Sequence, residues 1–221
     1  PCPHRTAMCV GKCSRIVGPC LLVLGTLSVL ASILLLFPGG ASRYLLHGHL
    51  GRHARALPGL WGGGIAVSTA GHRATERGQG MERGQGMERG RRLPSALLSV
   101  LLSKLALLGA AACFVLCGVG LSTGPLCLHD SPAHGPLWGY PFLDPIELGP
   151  ESLVPFLSHR AENYLYNRSA WSTCLEPEGI VAWHVALFSL LLLISAAEML
   201  LALLQVLNGL LGCLCGSCDG K

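Results

Sequence analysis

Cysteine is the residue type of this chain that supports the most kinds of chemistry, and the chain carries eleven cysteines. Cys213, Cys215 and Cys218 form a C-x-C-x-x-C pattern, and Cys9 and Cys13 lie at the other end of the chain. Such a cluster could bind zinc or an iron–sulfur cluster, but it lacks a nearby fourth ligand. Because all five flank long apolar runs, S-palmitoylation at a membrane surface is the favoured interpretation, and unmodified thiols remain open for each residue.

Cys127 and Cys174 are set apart, because they are the two cysteines of a long polar segment, residues 122–179. A disulfide between them is the natural prediction. Closing a loop of this length removes conformational entropy from the unfolded chain and thereby stabilises the folded state by about 4 kcal/mol. Two free thiols are the alternative.

Two ionisable residues, Lys104 and Glu198, lie within apolar runs, where a charge is costly and therefore suggests pairing or function. They could pair with each other. Glu198 also shares a helical face with Ser195 and Gln205, which favours a polar packing stripe over proton or ion transport. A small transporter or channel subunit using Lys104 and Glu198 is the second hypothesis.

No catalytic or metal centre is predicted. A nucleophile, base and oxyanion donor set cannot be assembled from the sequence, so the chain is expected not to be an enzyme and to need no cofactor. The loop histidines have no ligand spacing typical of a metal site. The formal charge of +4 comes without a basic, aromatic-bearing face, which excludes nucleic acid as the expected partner.

The elements that position these residues are long apolar runs. Of the 221 residues 51% are hydrophobic and 13% are charged, and the apolar ones are grouped into blocks. This predicts an all-α membrane protein with four transmembrane helices and a large second exoplasmic loop. The predicted segments are a cytoplasmic N-terminus 1–15, helices 16–37, 57–70, 96–121 and 180–211, exoplasmic loops 38–56 and 122–179, a cytoplasmic repeat 71–95 and a cytoplasmic tail 212–221.

The first two spans have alternatives. The run 16–37 could be a cleaved signal peptide, but it exceeds the usual ~7–15 apolar residues, so a membrane anchor is favoured. The run 57–70 would extend only about 21 Å, so it must rely on bilayer thinning or on neighbouring helices to cross. Small residues recur along two of the predicted spans and indicate close helix packing. They are Gly18, Gly25, Ser28 and Ser32 in the first, and Gly109, Cys113 and Cys117 in the third.

Basic residues determine the expected orientation, because Lys and Arg accumulate on the cytoplasmic side. With four spans and an internal N-terminus, the inner side holds ten basic residues and the outer side five. The inner ten are Arg5, Lys12, Arg15, Arg73, Arg77, Arg83, Arg89, Arg91, Arg92 and Lys221. If the second run did not cross, this ratio would be reversed, so the charges favour its crossing.

The second exoplasmic loop carries an N-x-S acceptor, Asn167-Arg168-Ser169. N-glycosylation of Asn167 is predicted, although this tripeptide also occurs by chance. The loop is rich in aromatic residues, which indicates a small packed unit that either binds a protein or covers the helices.

On the opposite side of the membrane, the glycine/arginine repeat 76–90 lacks an apolar face. It is predicted to be a disordered linker, either solvated or touching anionic lipid.

Several motifs together resemble the transmembrane 4 L6 family. They are MCVGKC at 8–13, LWGGG at 60–64, GP-x-C ending at Cys127, GYPF at 139–142, NYLYNRSAW at 163–171, CLEP at 174–177 and WHVALFS at 183–189. The resemblance covers nearly the whole chain except 68–93, where the glycine/arginine repeat replaces the apolar continuation of the second span.

The resemblance implies a tetraspanin-like layout of four spans without the tetraspanin Cys-Cys-Gly signature. It also implies a non-enzymatic membrane organiser that associates laterally with partners such as adhesion receptors. A homo- or hetero-oligomer is a further expectation, independent of the resemblance. The expected location is the plasma membrane or an endosomal or lysosomal membrane.

Overall fold

The computed structural model of the chain describes residues 4–82, 89–131, 135–142 and 164–218, with side chains described at 15–76, 97–130, 135–142 and 164–210. The fold is dominated by long helices. Helix α1 is His4–Leu35, a π-helical segment Gly59–Ile65 runs into α4, Ala66–Glu82, and α5 is Arg89–Thr123. The last helix, α6, is Ile180–Cys218.

Three stretches in this described part are long and apolar enough to cross a membrane: Arg15–Leu35, Leu97–Thr123 and Ile180–Leu210. They coincide with the predicted first, third and fourth spans. Exposed leucines cover their outer faces, as expected for helices whose solvent is hydrocarbon and whose backbone hydrogen bonds close internally.

The helix at the second predicted span is longer than the apolar run in the sequence. Instead of ending at residue 70, the helix continues through the polar residues to Glu82. The prediction of a disordered repeat is therefore wrong for residues 76–82 and for Arg89–Gly90, which begins α5; residues 83–88 lie outside the described part. Gly71 and Thr75 of this helix pack against Gly18 of α1, and such tertiary packing stabilises helices of low intrinsic propensity.

The helices alternate in direction along the chain. Gly18 of α1 faces Thr75, and Gly25 faces Ser68, so α1 and α4 are antiparallel. Gly120 of α5 faces Phe188 of α6, and Gly209 faces Val100, which makes this pair antiparallel too. Buried residues from all four helical segments meet inside and form an up-down bundle.

One end of the bundle is covered by what we call the cap, the described residues of 38–57, 124–142 and 164–179. It contains the short helices α2, Arg43–Leu46, and α3, Arg52–Arg55. An antiparallel hairpin joins β1, Cys127–Ser131, to β2, Gly135–Gly139, with Cys127 opposite Gly139. Leu128 also bridges to Glu176, which brings the 3-10 turn Arg168–Thr173 and the start of α6 to the hairpin.

Candidate functional site

Three successive glycines of the π-helical segment allow three helices to approach one another. A Cβ at Gly62 would lie 2.5 Å from the Gly109 carbonyl of α5. One at Gly63 would lie 2.8 Å from Glu198 Oε2 of α6, and one at Gly64 would contact Val29 of α1. The segment thus packs through its backbone, and π-helical turns of this kind are frequent at functional sites.

The glycines surround a set of buried polar residues that we call the polar cluster: Ser28, Ser32, Ser195, Glu198 and Cys113. All five side chains are fully buried. The Oγ atoms of the three serines and both Glu198 carboxylate oxygens have no hydrogen-bond partner among the described residues. Glu198 lies about twelve residues, or roughly 18 Å, from the Leu210 end of its apolar stretch, which places the cluster near the middle of that stretch.

Helix α5 contributes Cys113 to the cluster, and Cys117 adjoins it. The Sγ atoms of Cys113 and Cys117 are 3.9 Å apart, and neither residue is in a disulfide. Within the part of the chain that the structure describes, no group of three or more His, Cys, Asp or Glu side chains could hold a metal ion. The Cys113 thiol lies close to Ser28, Ser195 and the backbone of Gly63.

Lys104 and Glu198 do not form the pair that the sequence suggested. Glu198 points into the bundle, whereas Lys104 is exposed on the outer face of α5 beside Leu101, Leu105 and Leu108. The predicted pairing is wrong because the Glu198 side chain is buried in the bundle interior, whereas the Lys104 side chain lies on the outer surface. The predicted packing stripe is confirmed, since Ser195, Glu198 and Gln205 are all buried.

The small-residue stripes are confirmed as helix contacts. Gly18, Gly25, Ser28 and Ser32 face the second helix, and Gly109, Cys113 and Cys117 face the interior. The sequence indicated that these small residues allow close helix packing. It did not indicate that Ser28 and Ser32 belong to the same buried polar cluster as Glu198. Their four-residue spacing at mid-span was the available signal.

A small cavity of about 30 Å³ lies where the cap meets the bundle. Its lining includes His49 and His184 beside apolar residues of α1 and α6. His184 Nε2 lies 3.0 Å from the Gly120 carbonyl, and Trp183 Nε1 donates to the Leu34 carbonyl over 3.2 Å. Close by, burial and the adjacent Arg52 lower the pKa of His53.

The cap is fixed by a disulfide and by aromatic contacts. Cys127 and Cys174 are bonded, as the sequence predicted, with their Cα atoms 5.5 Å apart. Tyr164 donates its hydroxyl to the Leu121 carbonyl and stacks on Phe142 with ring centroids 4.5 Å apart. Burial raises the pKa of Tyr164 to about 12. Trp171 Nε1 donates to the Tyr164 carbonyl over 2.8 Å, so this tyrosine connects the end of α5 with two parts of the cap.

The two loops also contact each other, which the sequence did not indicate. The Arg52 backbone N–H donates to the Tyr140 hydroxyl over 2.9 Å. His49 stacks on Trp138 with ring centroids 4.0 Å apart, and Tyr44 lies against the same indole. The first loop is therefore part of the cap rather than a separate surface segment.

Asn167 lies at the start of the 3-10 turn. Its Oδ1 accepts from the backbone N–H of Ser169 over 3.1 Å and from the Ser169 hydroxyl. The residue is partly exposed, and sugar attachment there stays a prediction. The side chains of Cys9, Cys13, Cys213, Cys215 and Cys218 lie outside the described residues, so their lipidation also stays a prediction; their backbones continue helices α1 and α6.

Comparison with known proteins gives matches along almost the entire chain. The sequence model of the family described as L6 membrane protein matches residues 8–219. Human transmembrane 4 L6 family member 19 is 41% identical, covering 99% of this chain and 98% of its own length. Member 5 from Bos taurus is 38% identical and member 1 from Mus musculus 36%, each covering 97% of both chains. No solved structure gives a significant match.

Proposed function

This chain belongs to the L6 membrane protein family, and on that premise we propose that it is a four-span, non-enzymatic scaffold that associates laterally with other membrane proteins. The partners we propose include adhesion receptors and further copies of the chain. The plasma membrane or an endosomal or lysosomal membrane is the proposed location, with the cap on the exoplasmic side.

The position of Lys104 carries the proposal of lateral association. This ammonium group lies on an apolar outer face, seven residues into the Leu97–Thr123 stretch, or about 10 Å along the helix. None of the described carboxylates forms an ion pair with it. A charge at such a depth is costly, and a carboxylate from a neighbouring membrane protein would neutralise it.

The test compares association of the full-length wild type with that of Lys104→Met in native membranes. We expect cross-linked or co-purified complexes to fall at least about tenfold, as loss of about 1.4 kcal/mol would cause. Leu108→Met, on the same exposed face, is the matched control and should behave like wild type. Equal association of all three proteins would refute the role of Lys104.

The packing of the second helix supports the proposal of four spans. Its residues from Gly59 to Thr75 lie alongside α1 from Ser32 back to Gly18, and α1 is one of the strongly apolar stretches. Sixteen residues rise about 24 Å, which is most of the roughly 30 Å of a hydrocarbon core, and this length beside α1 supports a crossing. Close packing thereby compensates for the low hydropathy of the segment.

Glycosidase treatment tests the proposed orientation. We expect the wild-type chain expressed in a eukaryotic membrane to show a mobility shift that Asn167→Gln lacks, which would place the cap on the exoplasmic side. A protease site inserted among residues 83–88 should then be cleaved only after the cells are permeabilised, when the protease reaches the cytoplasm. Cleavage on intact cells would contradict the topology.

A small transporter or channel subunit remains the alternative function. Lys104 and Glu198 face different surroundings, so the pair offers no common pathway for an ion. Ion flux that depends on both residues, measured in proteoliposomes with Lys104→Met and Glu198→Gln, would favour this alternative over the scaffold.

A further inference from the structure

The polar cluster contains more oxygen atoms than its protein contacts satisfy. Five side-chain oxygens, from Ser28, Ser32, Ser195 and Glu198, are fully buried and have no hydrogen-bond partner in the part of the chain that the structure describes. An unpaired carboxylate in hydrocarbon is among the most costly groups in a membrane protein, and natural structures neutralise such groups. The cluster therefore needs a positively charged occupant or a proton.

One carboxylate oxygen of Glu198 and the hydroxyl oxygen of Ser28 lie beside Gly63. A methyl group built at this glycine would lie 2.8 Å from Glu198 Oε2 and even closer to the Ser28 hydroxyl. Gly63 thus packs directly against both oxygens, which brings the α1 hydroxyl and the α6 carboxylate to one point of the bundle. Ser195 is one helical turn before Glu198 on the same face, and Ser32 is one turn from Ser28, near Gly59. The hydroxyls of Ser195 and Ser32 thus lie about one helical turn from the two oxygens that meet at Gly63.

The donor set selects the kind of occupant. Hard cations prefer carboxylate, hydroxyl and carbonyl oxygens, whereas transition metals require the nitrogen or sulfur sets that are not assembled in the described residues. One carboxylate balances one positive charge, and a divalent ion would leave a net charge in the low-dielectric interior. Irregular helix backbone near the bilayer midplane is also where sodium sites of membrane transporters form.

From this geometry we propose that the polar cluster is an intramembrane binding site for a monovalent cation, sodium. Glu198 supplies the charge, and the hydroxyls of Ser28 and Ser195 are the neighbouring ligands, with Ser32 at the edge of the site. The ion links α1 and α6 beside the π-helical segment. Its function is to stabilise the bundle, which is separate from the lateral association proposed above.

Thermal unfolding of the purified full-length protein in detergent tests the site. A ligand that binds only the folded state raises its stability with concentration. We expect about 150 mM NaCl to raise the Tm by about 3–8 °C relative to the same concentration of N-methyl-D-glucamine chloride. Potassium chloride should have a smaller effect. An equal Tm in all salts would mean that a proton neutralises Glu198, and would overturn the proposal.

Variants assign the effect to the cluster. Glu198→Gln, a neutral substitution of similar shape, should abolish the sodium-dependent shift, and Ser28→Ala should raise the half-effective sodium concentration at least about threefold. Ser103→Ala is the matched control, because this buried hydroxyl in α5 already donates to the Ser99 carbonyl over 2.9 Å. It should keep the wild-type sodium response.

If Glu198→Gln does not fold, Ser195→Ala decides, since loss of one hydroxyl preserves the helix. A sodium shift that is unchanged in both serine variants would refute the site. Binding of radioactive sodium ions to the detergent-purified wild type, one per chain and absent from Glu198→Gln, is the direct measurement. Failure of the Lys104 association test would leave this result unaffected.

Discussion

The bundle interior and the cap are held together by opposite means. At the centre of the bundle, helices approach because side chains are missing, as at Gly62, Gly63 and Gly109. In the cap, large rings and a covalent bond make the contacts: Tyr164 stacks on Phe142, and Cys174 is bonded to Cys127. The same chain therefore uses backbone proximity in one region and side-chain bulk in the other.

The surroundings of the two regions explain this difference. In hydrocarbon, burying a leucine against another helix gains little over burying it in lipid, so association depends on close van der Waals contact. In water, burial of aromatic surface stabilises directly. A unit as small as the cap has few residues for a core, and a disulfide is the usual supplement.

The largest expected effect comes from removing the covalent link of the cap. Cys174→Ser should destabilise the cap by about 2–5 kcal/mol, because the unfolded chain regains the freedom of a loop with a sequence separation of 47 residues. Hydrogen exchange of residues 124–142 and 164–179 should accelerate. We expect the bundle helices to exchange as in wild type.

The buried free cysteine Cys117 provides the control for this substitution. Cys117→Ser changes a thiol inside the bundle and should leave exchange in the cap unaltered. Equal acceleration in the cap and the bundle of Cys174→Ser would show that the two regions unfold as one unit, and the comparison between them would not hold.

A smaller effect is expected from adding one methyl group to the bundle. Gly109→Ala would place a Cβ 2.6 Å from the Gly62 carbonyl and 3.1 Å from the Ala66 Cβ. Overpacking of this kind costs about 1–3 kcal/mol. The Tm in detergent should fall, since neither backbone can yield without separating α5 from the π-helical segment.

Gly118→Ala is the control within the same helix. A Cβ there meets nothing within 4 Å, and alanine favours a helix over glycine by up to about 1 kcal/mol. Its Tm should match or exceed that of wild type. A fall equal to that of Gly109→Ala would mean that α5 tolerates no substitution of glycine, independent of close packing.

Much of the fold could be predicted from hydropathy and family motifs. The three most apolar runs appear as helices in the expected places, and the family resemblance is confirmed. The extent of the second helix could not be predicted, because residues beyond 70 have helix-breaking glycines and no apolar run. What stabilises that helix is its contact with α1, which no local pattern records.

The candidate site was only partly visible in the sequence. Glu198 was recognisable as a costly residue in an apolar run, and the disulfide followed from two isolated cysteines. Which helix face turns inward depends on packing, so Lys104 and Glu198 could not be separated by sequence position alone. Similarly, the sequence predicted Ser28 and Ser32 only as small residues at a helix contact. The structure shows that their hydroxyls, like the Glu198 carboxylate, are buried without a hydrogen-bond partner among the described residues.

The smallest effect should appear in the cap at high pH and be absent at neutral pH. The Tyr164 phenol has a pKa of about 12 in the folded cap, above the usual value near 10. Between pH 10 and 12 the unfolded chain therefore loses this proton while the folded cap retains it. The stabilisation by Tyr164 is complete below pH 10 and is lost as pH rises toward 12.

Two tyrosine variants isolate this dependence. Tyr164→Phe should lack the decline of cap stability between pH 10 and 12, although its stability at neutral pH is lower because the hydrogen bond to the Leu121 carbonyl is lost. Tyr166→Phe alters a side chain that is 91% exposed and should decline as wild type does. Absorbance at about 295 nm follows phenolate formation directly, and one late-titrating tyrosine should vanish only in Tyr164→Phe. An early titration of every tyrosine would show that water enters the cap at Tyr164, so that burial of aromatic side chains is not what distinguishes it from the bundle.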